Sequence, residues 1–105
     1  MITKILKIAK ENPSGFTIDL ELNFVSGGYA VANKETQDCF GEEGLKKVIE
    51  YAKKHNTYIG GWLEEGKFYF DASIVVQDKE EALRIGKENE QIAIYDFQTG
   101  LPIYL

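Results

Sequence analysis

The 105 residues contain one cysteine, Cys39, and one histidine, His55. A single thiol closes no internal disulfide and builds no multi-thiolate metal site, which favours a reducing, cytoplasmic setting. Arginine is as scarce, with Arg84 alone, whereas nucleic-acid binders usually rely on arginine forks across a basic face. The formal net charge of −5 points the same way, so direct nucleic-acid binding is not expected. Only two prolines, Pro13 and Pro102, interrupt the chain. With no low-complexity stretch beside them, there is no sign of an interdomain linker. Long apolar runs are missing too. The opening Met1-Ile-Thr-Lys-Ile-Leu-Lys-Ile mixes lysine into its apolar groups, so neither a signal peptide nor a membrane span is expected.

Hydrophobic residues at 44% and charged residues at 28% place the chain among globular proteins rather than disordered ones. Its length suits one core and is too short for two ordinary domains, so residues 1–105 are expected to form one α+β domain. The charge is uneven along the chain. Residues 1–59 carry eight acids and eight bases, while residues 60–105 carry nine acids and four bases. The whole acidic excess therefore lies in the second part.

Periodicity gives the elements. Ile2, Ile5, Leu6 and Ala9 fall at helical spacing, and Asn12-Pro13 stops that helix because a residue before proline disfavours the helical region. Residues 16–24 alternate, with Ile18, Leu20, Leu22 and Phe24 on one side, which predicts a half-buried strand. Ser26-Gly27-Gly28 then reads as a tight turn and 29–33 as the returning strand. A polar loop, Lys34–Gly41, leads to a second helix with an apolar stripe of Leu45, Val48, Ile49 and Ala52. Strands follow at 58–63 and 67–77, the latter with Phe68, Phe70, Ala72, Ile74 and Val76 sharing a face. Asp78, followed three residues on by Glu81, reads as the start of a third helix. Two short strands close the chain, the last marked as a sheet edge by Pro102. Ile8-Ala9-Lys10-Glu11-Asn12 nearly recurs as Ile85-Gly86-Lys87-Glu88-Asn89, with a weaker copy at Tyr51–His55. The expected architecture is three helix–hairpin (αββ) units forming an antiparallel sheet with helices packed on one face.

Residues that carry chemistry are few. His55 ends a helix after Lys53 and Lys54, where positive charge complements the dipole, and this structural role is sufficient reason for it. Cys39 precedes a helix start, yet Asp38, Glu42 and Glu43 around it would raise its pKa. Asp71 sits mid-strand on the face of Tyr69, Ser73 and Val75, and Asp96 has a similar setting. Either is solvated on the outer face or paired where covered. Gly27-Gly28 and Gly60-Gly61-Trp62 lack the strand–loop–helix context of a phosphate cradle, so glycine there signals close approach of a neighbour. No metal or cofactor is expected.

The segments Gly15-Phe-Thr-Ile-Asp19, Gly28-Tyr-Ala-Val-Ala32, Lys34-Glu-Thr-Gln37, Phe40-Gly41, Gly60-Gly-Trp62, Tyr69-Phe-Asp-Ala72 and Glu88-Asn-Glu-Gln-Ile-Ala-Ile-Tyr-Asp96 carry a resemblance that covers most of the chain. It resembles small proteins encoded by bacterial phages and mobile elements. The resemblance implies a protein of the bacterial cytoplasm that binds and blocks a host protein, in the manner of an inhibitor of a defence nuclease. The function expected is thus a non-enzymatic binding protein that meets a larger protein or nucleoprotein complex through an acidic surface. Glu64, Glu65, Glu80 and Glu81 would supply charge, Trp62 an apolar anchor, and Lys34 and Gln37 loop contacts. Self-association through a sheet edge or open sheet face is a further expectation. The alternative is a small nucleotide-binding or hydrolytic enzyme using Asp71, Asp96 and the Lys34–Gly41 loop.

Overall fold

Two periodicities, two for strands and 3.6 for helices, sort this chain into layers. The computed structural model describes residues 1–105 and is α+β, with three helices and one open six-stranded antiparallel sheet. The elements run α1 (Ile2–Glu11), β1 (Phe16–Ile18), β2 (Tyr29–Ala32), a short 3₁₀ turn (Lys34–Thr36), α2 (Gly41–His55), β3 (Tyr58–Glu64), β4 (Lys67–Val76), α3 (Lys79–Glu88), β5 (Ala93–Asp96) and β6 (Leu101–Tyr104). The strand order is β1-β3-β4-β2-β5-β6. No helix is long and apolar enough to cross a membrane.

β4 lies inside the sheet and organises it. Along one edge it pairs with β3 from Tyr58↔Ser73 to Glu64↔Lys67. Glu65 and Gly66, at φ 50° and 81°, form the two-residue turn of that hairpin. The other edge of β4 is shared. β2 takes Ser73 to Val76, while Thr36 Oγ1 accepts the Ala72 N–H at 3.0 Å and the Cys39 carbonyl accepts the Phe70 N–H at 2.8 Å. The Lys34–Gly41 loop is thereby a bonded rim of the sheet rather than a free connection.

Phe70 and Ala72 on β4 pack with Ile59 from β3, Ile18 from β1 and buried residues of α1 and α2 in the larger core cluster. Ile74 and Val76, on the same side of β4, pack on the smaller cluster of Val31, Ala82 and Ile94 beneath α3. Gly61 lies in this core layer because a Cβ there would come within 2.7 Å of the Phe16 ring. The helical repeat has a packing counterpart: Ala9, Ala52 and Gly86, equivalent positions in the three copies, are all buried.

The first αββ unit departs from expectation. The strand predicted over 16–24 ends at Ile18, and β1 does not pair with β2. The cause is Asp19. Its carboxylate accepts the N–H groups of Glu21 and Asn23, both at 2.9 Å, and its backbone N–H donates to the Asn23 carbonyl. This local closure outcompetes a continued strand. The chain reverses at Asp19–Asn23, with Leu22 at φ 69°, instead of at Ser26–Gly28. Residues 25–29 then run from beside β1 to β2, past the inserted β3–β4 hairpin. Val25 bonds the edge of β1 away from β3, so four residue steps, at most about 14 Å, must cover four strand spacings, about 19 Å on a flat sheet. The link is taut, so the sheet curls.

Two expectations about stability follow. Phe70 is 1% exposed, so Phe70→Ala should lower the unfolding free energy by about 3–5 kcal/mol in urea denaturation. Asp78 Oδ2 accepts the Glu81 N–H at 3.0 Å at the start of α3. Asp78→Ala should cost about 1 kcal/mol and Asp78→Asn less, because an amide oxygen still accepts the bond.

Candidate functional site

The side of the sheet opposite the helices is a curved, open concavity of about 910 Å³. Its floor is the other set of alternate residues: Tyr69, Asp71 and Ser73 on β4, Gly60 and Trp62 on β3, and Ala30 and Ala32 on β2. The middle is hollow because these central positions are small. Both ends are aromatic. Trp62 stacks on Tyr69 with ring centroids 5.7 Å apart, and Phe40 meets Tyr69 edge-on at 5.8 Å. At the other end Tyr95 and Phe97 form an edge-to-face pair at 5.3 Å, and Tyr104 stands 73% exposed. Phe24, 59% exposed, and Val25, where the taut link begins, add to the lining.

Asp71 is the one carboxyl at the centre of this floor. Ser73 Oγ donates to its Oδ1 at 2.6 Å, while Oδ2 receives no hydrogen bond from the protein and remains open to the concavity. Gly60 faces it across the ladder, and a Cβ there would lie 2.8 Å from Oδ1. The strand glycine marks close approach, as its context implies, and the approaching group is a carboxylate. Burial raises the pKa of Asp71 above 3.8, with the Ser73 hydrogen bond opposing that rise only in part.

Charge in the lining of the concavity has one sign, with Lys67 just outside it over the Phe40 ring. Asp38, Glu64 and Asp71 line it, and no lysine, arginine or histidine does. The three helices hold ten bases against seven acids, +3; the remaining two bases and ten acids leave −8 on the sheet and loops. The helices are thus net basic and the rest of the chain net acidic, a division that the count by chain halves does not show.

The residues expected to act together divide accordingly. Trp62, Glu64 and Gln37 line the concavity. Glu65 is in the β3–β4 turn, Lys34 is exposed on the 3₁₀ turn outside the lining, and Glu80 and Glu81 open α3 in the helical layer. The enzyme set separates as well. Asp96 shares Ile94's side of β5 and its Oδ1 accepts the Gln98 N–H at 2.9 Å, so it neither lines the concavity nor pairs with Asp71. His55 stacks on Tyr51 at 4.1 Å on α2. Burial pushes the Cys39 thiol up, with Asp38 and Asp71 adding to the rise against Lys47. Glu42 and Glu43 are not part of that effect. No group of three or more His, Cys, Asp or Glu side chains is placed to hold a metal ion.

Sequence reasoning missed Ala30, Ala32, Phe24 and Tyr104 as parts of one surface. The available signal was the alternation of β4, which assigns Tyr69, Asp71 and Ser73 to the face away from Phe70. No protein-family model, curated protein or solved structure matches the chain.

Asp71→Asn keeps an oxygen for the Ser73 hydroxyl and removes the half-buried charge. A raised folded-state pKa destabilises the fold above that pKa and leaves it unaffected below the unfolded value. The variant should therefore be more stable than the parent at pH 7. The gain should close as the pH falls toward 3.8. Urea midpoints at a series of pH values measure it.

Proposed function

We propose that this protein is a non-enzymatic binding protein that holds a larger partner in the helix-free face of its sheet. The observation that carries the reading is that face itself, a concavity of about 910 Å³ lined by aromatics and acids and free of bases. Exposed aromatic and apolar groups gathered on one surface favour an interface, and tryptophan and tyrosine are its usual anchors. The three acids of the lining, with no base among them, would draw a basic surface toward this side, and the helices, +3 in sum, would not. The resemblance to phage-encoded proteins extends the proposal to a host defence complex whose basic surface the protein blocks. Of the enzyme reading, Asp71 and the loop residues Thr36, Gln37 and Asp38 line the concavity, without Asp96 or Lys34 beside them.

The experiment is capture of a partner from bacterial cells expressing a defence complex, followed by association kinetics on the purified pair. Trp62→Ala should weaken binding by about 2 kcal/mol. Glu64→Lys should slow association, and the effect should fade as the screening length drops from about 10 Å at 0.1 M salt to about 3 Å at 1 M. Glu80→Lys with Glu81→Lys, on the helical layer, should leave both rates near the parent's. Equal effects from the two layers would sink the proposal.

A further inference from the structure

Asp71 is unlike the other acids of the chain. It holds a carboxylate in a setting that burial makes unfavourable for charge, with one oxygen satisfied by Ser73 and the other offered to open space. The residues around it are kept small, and Gly60 cannot carry a side chain without striking it. A fold that needed only a filled floor would place an apolar group here. One that keeps a half-satisfied carboxylate at the bottom of a hollow leaves a position for a cation.

Three further features narrow that cation. The walls supply two more acids, Asp38 and Glu64, and no base, so a positive group entering meets no repulsion from the lining. Trp62 lies next to Gly60 on the same face of β3, about 7 Å along the strand. It is 38% exposed, which leaves ring surface free for a flat group to stack. The same aromatic row already accepts a cation of this chain, since Lys67 Nζ lies 4.7 Å over the Phe40 ring that abuts Tyr69. A planar guanidinium uses both devices, stacking on an indole while donating to a carboxylate, and an ammonium uses the stacking surface less well. The concavity also extends well beyond one side chain, to Phe24, Ile92 and Tyr104, which are 59%, 79% and 73% exposed. Covering them requires a length of polypeptide.

Resting on the binding reading above, we infer that the concavity is a receptor for an arginine side chain of a partner protein segment, with the guanidinium on Asp71 and Trp62 and apolar neighbours over the aromatic rim. The contact is a hydrogen-bonded ion pair formed in a partly desolvated hollow, and no covalent step is involved.

The probe is a random peptide library displayed and selected on the intact protein, with the bound site mapped by backbone amide shifts. Selected peptides should share an arginine flanked by apolar residues and should perturb Gly60, Trp62 and Ser73. Replacing that arginine by citrulline, of the same shape without the charge, should weaken binding to the parent by about 10- to 100-fold. The same replacement should change little on Asp71→Asn, which is the outcome a merely structural role for Asp71 would not give. Trp62→Ala is the second variant, exposed enough to spare the fold, and should weaken arginine and citrulline peptides unequally. Peptides that map to the concavity with citrulline as good as arginine overturn the arginine assignment and leave the binding face standing. Peptides that map to the helices, or no selected peptide at all, overturn both. A self-associated protein in sedimentation that masks the same amides overturns the partner-segment assignment in favour of a second copy.

Discussion

The backbone of β4 has both edges occupied along most of its length, and nearly every other feature is hung from it. β3 holds one edge from Lys67 to Ser73; β2, Thr36 and Cys39 divide the other. A strand bonded on two sides cannot slip by one residue without exchanging every core side chain for a surface one. That constraint fixes Phe70, Ala72 and Ile74 toward the helices and Tyr69, Asp71 and Ser73 toward the concavity. Core and candidate site are thus two readings of one alternation. A substitution that loosens the register would damage both.

The curl of the sheet has a separate cause, and it lies in a short segment. The reversal at Asp19–Asn23 leaves few residues to reach β2, and the inserted β3–β4 hairpin lengthens the path. Asp19 holds that reversal as an anion. Its carboxyl pKa is depressed chiefly by the Asn23 N–H, with the Asn23 side chain and the Glu21 N–H assisting against a smaller opposing effect of burial. The stabilising effect of those bonds is present above the ordinary carboxylate pKa and is lost as the pH falls through the depressed one. A flat sheet would offer Asp71 to bulk water. The curled one sets it at the floor of a hollow, where its charge is costly.

Much of this architecture is legible in the residues. The apolar stripe of α2, the alternation of 67–76, the Asp78 cap and the edge position of Pro102 each follow from local rules, because each depends on neighbours a few residues away. The strand misread over 16–24 shows where local rules stop. Leu20, Leu22 and Phe24 satisfy a period of two, yet Asp19 offers its backbone neighbours a better bond than a strand partner would. Pairing across the sheet is equally hidden, since nothing in a hairpin-like pattern reveals that another hairpin will insert itself. Of the candidate site, Trp62, Glu64, Gln37 and the oddity of Asp71 could be singled out from the chain. Their company with Ala30, Ala32 and Tyr104 could not, because it is made by strands far apart in sequence.

Charge provides the last step. Counted along the chain, acids gather in residues 60–105; counted by element, they gather outside the helices. The two descriptions assign different roles to the same residues. Glu80 and Glu81 belong to the acidic part of the sequence but sit at the start of α3, where the partial positive charge of the helix terminus already engages them. Glu64 and Asp71 have no such employment. Glu64 meets only the Trp62 indole N–H, at 3.4 Å, and Asp71 only the Ser73 hydroxyl. Acids already used by the fold have little left to give a partner. The acids of the concavity retain most of their capacity to accept, and they stand beside aromatic surface. That residual capacity, more than net charge, distinguishes this face from the rest of the protein.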